Sequence, residues 1–293
     1  MADPDFFVKA MSFTKNAHRI AYPAINPTRS ELSQAGKVVV TTGASRGLGR
    51  VCLAETERQA KEISPDTTVL KFALDVLNEP GMNAAFKEII AKCGPPQVLI
   101  NNAGSIVLET IAEADIGSFW GTIEVNLKGV LIATKAFLQA NAPETGAVLD
   151  AGSSQAVSRT ILNITSCATQ SAAAEMDSYM ISKLALLKST EFLAAEHPAI
   201  TSISLDPGMV ATDMAAGIPL IAPFTLDDVS LAGGAAVWLT SGDKAFLSGR
   251  YLSANWDVEE IMNRKNDISE RSLLVSTLKG VGSVEASELA NHK

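Results

Sequence analysis

The sequence predicts an α/β protein: a doubly wound parallel sheet with helices on both faces, folded as one domain. Three observations predict it. Near-uniformly apolar runs (KVVV, QVLIN, ILNI, AITSISL) recur along the chain, and such strands suit a sheet buried on both sides. Segments with helical spacing alternate with them, the order of βαβ units. The runs end in Gly-, Asn- or Ser-containing turns, at the edge where parallel sheets bind ligands.

Composition bounds the possibilities. A chain of 293 residues, 47% hydrophobic, can bury a sizeable core. Neither a linker nor an internal repeat divides it, so a single domain is expected. The formal charge of −8 and pI near 5.0 argue against a nucleic-acid or anionic-membrane surface. No apolar run approaches the roughly 18 residues of a membrane span. The start, MADPDFFVKAMSFTK, lacks the cationic and apolar blocks of a secretory signal. Cys52, Cys93 and Cys167 have neither disulfide nor metal-ligand spacing. A reduced, cytoplasmic protein without metal is expected.

The elements follow in order. Residues 1–36 are polar and proline-punctuated, and read as an arm rather than a core element. The main domain spans 37–260, and a polar, mostly helical tail spans 261–293. KVVVTTG predicts a strand buried on both faces, and residues 50–63 a helix with Leu53, Thr56, Ala60 and Ile63 on one side. Ser64-Pro65-Asp66 breaks that helix, and TVLKFAL predicts a strand. Asn78 caps the helix GMNAAFKEIIAKC, which stops at Gly94-Pro95-Pro96. QVLINNAG is a strand, 115–140 a long helix, and 142–160 an Ala-, Gly- and Ser-rich exposed loop of about twice the usual length. ILNITS is a strand, 175–196 a helix, AITSISLDPG a strand closed by Pro-Gly, and SGRYLSAN the last strand.

The first strand runs into Thr42-Gly43-Ala44-Ser45-Arg46-Gly47-Leu48-Gly49. Glycines there let the backbone turn sharply and approach a pyrophosphate on the next helix N-terminus. An ordinary strand-to-helix turn is the blander alternative. With its place after an apolar strand, the pattern predicts a Rossmann-type sheet.

The turn T-G-x-x-x-G-x-G resembles that of the short-chain dehydrogenase/reductase family, and further motifs of that family follow over roughly 37–258. Tyr179 and Lys183 lie four apart on one helix face, where a cation favours phenolate and lowers a pKa of about 10. Alone, they read as a surface tyrosine beside a solvated lysine. Ser166 changes that reading. It ends the strand ILNIT, thirteen residues before Tyr179, where a hydroxyl can donate to a carbonyl oxygen while Tyr179 delivers the proton.

The resemblance implies the remaining roles. Gly43, Ser45, Arg46, Gly47, Leu48 and Gly49 would hold the cofactor phosphates, with Lys183 and Tyr179 beside the ribose. Asn102, in Asn101-Asn102-Ala103-Gly104, would touch the cofactor, although it also suits a simple turn. Asn126, otherwise a solvent-facing polar residue, would join a proton relay reaching Lys183 through water. Val210 and Thr212, in Pro207-Gly208-Met209-Val210-Ala211-Thr212, would hold the nicotinamide carboxamide. Asp75 would contact adenine, or merely start a turn. The arm and the ending SGRYLSANWDVEE are most similar to fungal members, many of them in secondary-metabolite pathways.

One departure is specific. From Gly49 to Asp75 is 26 positions, whereas two helices, two strands and their loops need roughly 45. One strand-helix unit of the nucleotide half is therefore expected to be absent, with 50–63 as the single crossover helix and TVLKFAL either pairing with the first strand or leaving a gap beside it. A displaced exon boundary would leave the same text. The lost strand end is where NAD and NADP are distinguished. Arg46 remains, either pairing with a 2′-phosphate or exposed to solvent, and favours NADP over NAD.

The expected function is an NAD(P)-dependent oxidoreductase acting on a ketone or secondary alcohol. The catalytic set is Ser166, Tyr179, Lys183 and Asn126. The apolar segment MAAGIPLIAPF favours a small hydrophobic substrate, and the family resemblance implies a homodimer or homotetramer. The competing readings are a cofactor-free pseudoenzyme acting as a scaffold, and a family member that isomerises or dehydrates.

Overall fold

The computed structural model describes residues 3, 5–44, 67–140 and 159–278. Its sheet has five parallel strands in sequence order: β1 Val39–Thr41, β2 Val98–Asn101, β3 Arg159–Ile164, β4 Ile200–Asp206 and β5 Arg250–Ser253. Register runs Val39 to Val98, Leu99 to Ile161, Ile161 to Ser202 and Leu205 to Leu252. Every strand thus ends at the same edge, and the loops of that edge build the site.

The helices form where capping and periodicity agree. After a short α1 (Phe6–Ala10), α2 (Glu79–Cys93) starts at Asn78, whose side chain accepts the Gly81 N–H at 3.0 Å. Its buried Met82, Ala85, Phe86 and Ile89 recur at helical spacing, and Met82 and Phe86 join the cluster of Leu99 and Ile161. The long helix expected over 115–140 is continuous but not uniform: α3 (Ile116–Ile123) passes through a π-turn (Glu124–Lys128) into α4 (Gly129–Gln139). α5 (Asp177–Glu196) lies against β4. Next come α6 (Asp213–Ala216), α7 (Val229–Leu239), α8 (Val258–Asn263) and α9 (Lys265–Glu270).

Two apolar layers sandwich the sheet. One joins α2 and α4 to β2 and β3. The other joins β3, β4 and β5 to α7, α8 and α9, and it takes in Ile25 and Leu32 of the N-terminal arm. Ile25 is fully buried, which stabilises the fold by about 1.5–3 kcal/mol. The arm is therefore a core contributor as well as a strap.

Two sequence expectations fail at the same edge. TVLKFAL forms no strand, and Phe72 within it is 37% exposed. β1 is not buried on both faces either: Val39 is 44% exposed. The reason is shared, because strand-forming composition becomes a strand only against a partner. Among the described residues β1 pairs with β2 alone. Asp75 consequently ends no strand; its carboxylate accepts the Leu77 N–H at 2.9 Å in a turn before α2. The expected crossover helix at 50–63 and most of the loop at 142–160 lie outside the described residues.

Candidate active site

Three strand ends and α5 converge at the carboxyl edge. Ser166 follows β3 and caps a short 3-10 turn, Cys167–Gln170, its Oγ accepting the Ala168 N–H at 3.1 Å. That hydroxyl lies near enough to the Tyr179 phenol to favour its ionised form. Lys183, one turn further along α5, is 4% exposed. Its Nζ donates to the Ile164 carbonyl at 2.8 Å and stands 5.7 Å from the Tyr179 ring centroid. Ser166, Tyr179 and Lys183 thus lie together at this edge.

Their electrostatics differ from expectation. Burial pushes the Tyr179 phenol up to about 12; the Ser166 hydroxyl opposes this, while Cys167 and Asp206 add to it. Burial alone pulls the Lys183 ammonium down to about 8. Desolvation disfavours the charged form of each group, and it is the largest cause at both. The lysine does not bring the phenol toward neutrality.

Asn126 sits in the π-turn and is fully buried, not solvent-facing. Its Nδ2 donates to the Ser105 carbonyl and to Ser182 Oγ, both at 2.9 Å, and its Oδ1 accepts the Ser105 N–H at 2.8 Å. Ser182 Oγ in turn donates to the Tyr179 carbonyl at 2.7 Å. Asn126 is thereby tied to the helical turn that carries both Tyr179 and Lys183. An inserted residue in a helix re-aims side chains locally, and this one directs an amide inward.

Thr42, Gly43 and Asn102 close the next corner. Thr42 Oγ1 accepts the backbone N–H groups of Asn102 and Ala103, both at 3.1 Å. Asn102 Nδ2 donates back to the Thr42 and Gly43 carbonyls at 3.1 and 3.2 Å. Gly43 has φ +69°, and a Cβ there would stand 2.6 Å from the Ala103 Cα, so only glycine fits. Ser45, Arg46, Gly47, Leu48 and Gly49 lie outside the described residues.

On the opposite side, Val210 is buried and bridges to Asp227. The Thr212 hydroxyl accepts the Ala215 N–H at 3.2 Å and starts α6. Asp206, at the end of β4, is buried and accepts from Tyr251, Ser253 and Gly208 at 3.2, 3.1 and 3.4 Å. Burial raises its carboxyl above the ordinary value despite these donors. Beyond α6, Ile218 and Leu220 face Leu108 and Met176 across a small open pocket. Leu108 and Met176 belong to the apolar cluster that includes Tyr179. The segment MAAGIPLIAPF therefore flanks the tyrosine. Asp75 does not join this group; it lies in the exposed turn before α2.

A nicotinamide nucleotide meets a suitable donor set over half its length. An ammonium has three donors, and Lys183 uses one on Ile164 while buried, so the others suit ribose hydroxyls. A Cβ on Gly104 would stand 3.3 Å from Asn126 Oδ1 and 3.7 Å from Lys183 Nζ, so the Gly104 backbone packs closely against both side chains. The adenine half has no such match in the described residues, since β1 has no outer neighbour and Asp75 is at no strand end.

Sequence reasoning missed Ser182, Ser105, Asp206 and Asp227. Each is a common residue without motif spacing, and its partner is distant in sequence or on backbone. Among the described residues no group of three His, Cys, Asp or Glu could hold a metal, and no helix is long and apolar enough to cross a membrane.

Comparison with known proteins agrees with this geometry. The family model for short chain dehydrogenases matches residues 52–220. The short chain dehydrogenase mpl6 of Monascus purpureus is 33% identical, over 89% of this chain and 95% of its own. The short chain dehydrogenase andI of Emericella variicolor is 28% identical, over 91% and 96%. Among solved structures, a short chain dehydrogenase of Shigella flexneri 2a complexed with NADP superposes with a TM-score of 0.64 at 19% identity, covering 77% of this chain and 99% of that one.

Proposed function

This chain belongs to the short chain dehydrogenase family of oxidoreductases acting on CH–OH and C=O groups, and on that premise we propose that it reduces a ketone on a small hydrophobic substrate with a nicotinamide cofactor. The observation that carries this reading is the buried Lys183 beside the Tyr179 ring, with the Ser166 hydroxyl near the phenol. The family binds NAD(P), which when bound supplies the hydride for the carbonyl carbon.

The protein's own residues handle the rest. Tyr179 keeps its proton up to about 12 and so serves as the acid that protonates the carbonyl oxygen. Ser166 orients that oxygen through its hydroxyl near the phenol. Lys183 holds the ribose through its remaining donors. Asn126 holds the α5 turn in place through Ser182, and its Oδ1 lies on the same side of Gly104 as Lys183, as a proton relay to that lysine requires. Leu108, Met176, Ile218 and Leu220 offer an apolar wall to the substrate.

Three finer features belong to the same reading. NADP is preferred, on the strength of Arg46 in the glycine-rich turn. The substrate belongs to secondary metabolism, as the resemblance to fungal members of the family suggests. The protein is a homo-oligomer, since apolar side chains stand exposed on α3 (Ile116, Trp120), α4 (Leu131) and α5 (Ile181, Leu184, Phe192).

Titration with NADPH and NADH, followed by assay of a ketone panel, tests the proposal. A ligand at a hundredfold excess over its Kd stabilises the fold by about 2.7 kcal/mol. Binding of neither cofactor to folded protein would sink it.

A further inference from the structure

We infer that the N-terminal arm is a working part of the ligand site: Arg19 and Phe7 position the 208–227 segment, which carries Val210, Thr212 and the pocket wall. This rests on the reading of that segment as the nicotinamide and substrate side.

The link runs through Asp227, whose side chain is wholly buried. Its Oδ1 accepts from Arg19 Nη1 at 2.8 Å. Its Oδ2 accepts the Met209 N–H at 2.6 Å and Asn255 Nδ2 at 3.0 Å. The Asp227 N–H returns to the Met209 carbonyl at 3.1 Å. The two ends of the segment are therefore fastened to one carboxylate. Gly208 is part of the same device: it has φ +83°, and a Cβ there would stand 2.6 Å from Asp227 Oδ2. Any other residue would displace the carboxylate.

A buried carboxylate needs a partner cation, and removing that cation leaves an uncompensated charge. Arg19 supplies it from 208 residues away in sequence. The arm holds Arg19 firmly in place. Its carbonyl accepts the Asp228 N–H at 2.7 Å, and His18 N–H donates to the Asn255 carbonyl at 2.8 Å. The guanidinium also grips Asp5, at the start of α1, at 2.7 Å. A second, apolar contact extends the link: the Phe7 ring meets Phe224 edge-on at 4.9 Å. The arm thus touches the segment at Phe224 and Asp227, and the residue after it at Asp228.

Hydrogen exchange on the full chain, compared among wild type, Arg19→Gln, Arg19→Lys and Phe7→Ala, tests the clamp, with NADPH titration alongside. Arg19→Gln is expected to raise exchange at Met209 and Asp227 at least about tenfold, leaving α5 and β3 unchanged. Arg19→Lys restores the charge without the planar fork and falls between. Phe7→Ala raises exchange only near 221–226. The NADPH Kd of Arg19→Gln rises about fivefold or more. Unchanged exchange in folded Arg19→Gln overturns the inference, and so does raised exchange with an unaltered NADPH Kd. If wild type binds no NADPH, the dinucleotide reading fails, and exchange alone then decides the clamp.

Discussion

The Lys183 ammonium stands 5.7 Å from the Tyr179 ring centroid, while one of its protons goes to the Ile164 carbonyl at 2.8 Å. The pair is close but not bonded, and each member is governed by its own burial. Lys183 is the group that titrates in the working range, at about 8, not Tyr179 at about 12. For reduction, kcat/KM is therefore expected to fall as pH rises through about 8, when Lys183 loses the charge that holds ribose. Rate profiles from about pH 6 to about pH 10 check this, and Lys183→Arg should move the decline upward. A flat wild-type profile would remove Lys183 from that role.

The same depressed pKa makes a stability prediction. In the unfolded chain Lys183 titrates near 10.5 and in the fold near 8, so the buried charge destabilises most below about 8. The penalty fades between the two values, because the unfolded chain then binds more protons. At neutral pH the shift corresponds to about 3 kcal/mol. Lys183→Met removes it but leaves the Ile164 carbonyl unpaired, at about 1–3 kcal/mol. A net gain of about 1 kcal/mol near pH 7, turning into a net loss of about 1 kcal/mol toward pH 10, is expected from urea unfolding, together with lost activity.

Asn126→Ala should be among the more damaging single changes. It breaks three hydrogen bonds of 2.8 to 2.9 Å in a fully buried setting. Orphaned groups on Ser105 and Ser182 make the expected loss about 2–4 kcal/mol. Ser182→Ala removes only one of the three and should lose about half as much. Equal losses in denaturant unfolding would contradict the network.

Gly43→Ala and Gly233→Ala form a matched pair. At Gly43 the added methyl meets backbone 2.6 Å away at φ +69°, so a loss of at least about 2 kcal/mol is expected, with weaker dinucleotide binding. At Gly233, inside α7, nothing lies within 4 Å of the new atom, and helix propensity should give a gain of about 0.5–1 kcal/mol. Melting curves of the two variants check both signs.

Trp120→Glu and Ile181→Glu test the oligomer. Both side chains are about half exposed, at 57% and 49%, so a charge there is tolerated in a monomer but not in an apolar interface. Light scattering should show a smaller mass for each variant. A wild-type monomer would end the proposal.

The sequence by itself determined what local patterning can encode. Alternating apolar runs and helical faces marked β2 to β5, α2 and α5, strand ends marked Ser166 and Asn102, and helical spacing put Tyr179 and Lys183 on one face. Tertiary structure decided the rest. TVLKFAL has the composition of a strand yet forms none, because a ladder requires a partner that no local pattern supplies. Asn126 read from the sequence either as solvent-facing or as a relay residue, and the π-turn buries it. The shifts at Tyr179 and Lys183 follow from burial, a property of the packed molecule. Arg19 and Asp227, 208 residues apart, carry no motif at all. Their pairing exists only because folding removes water from Asp227 and brings the Arg19 guanidinium to it.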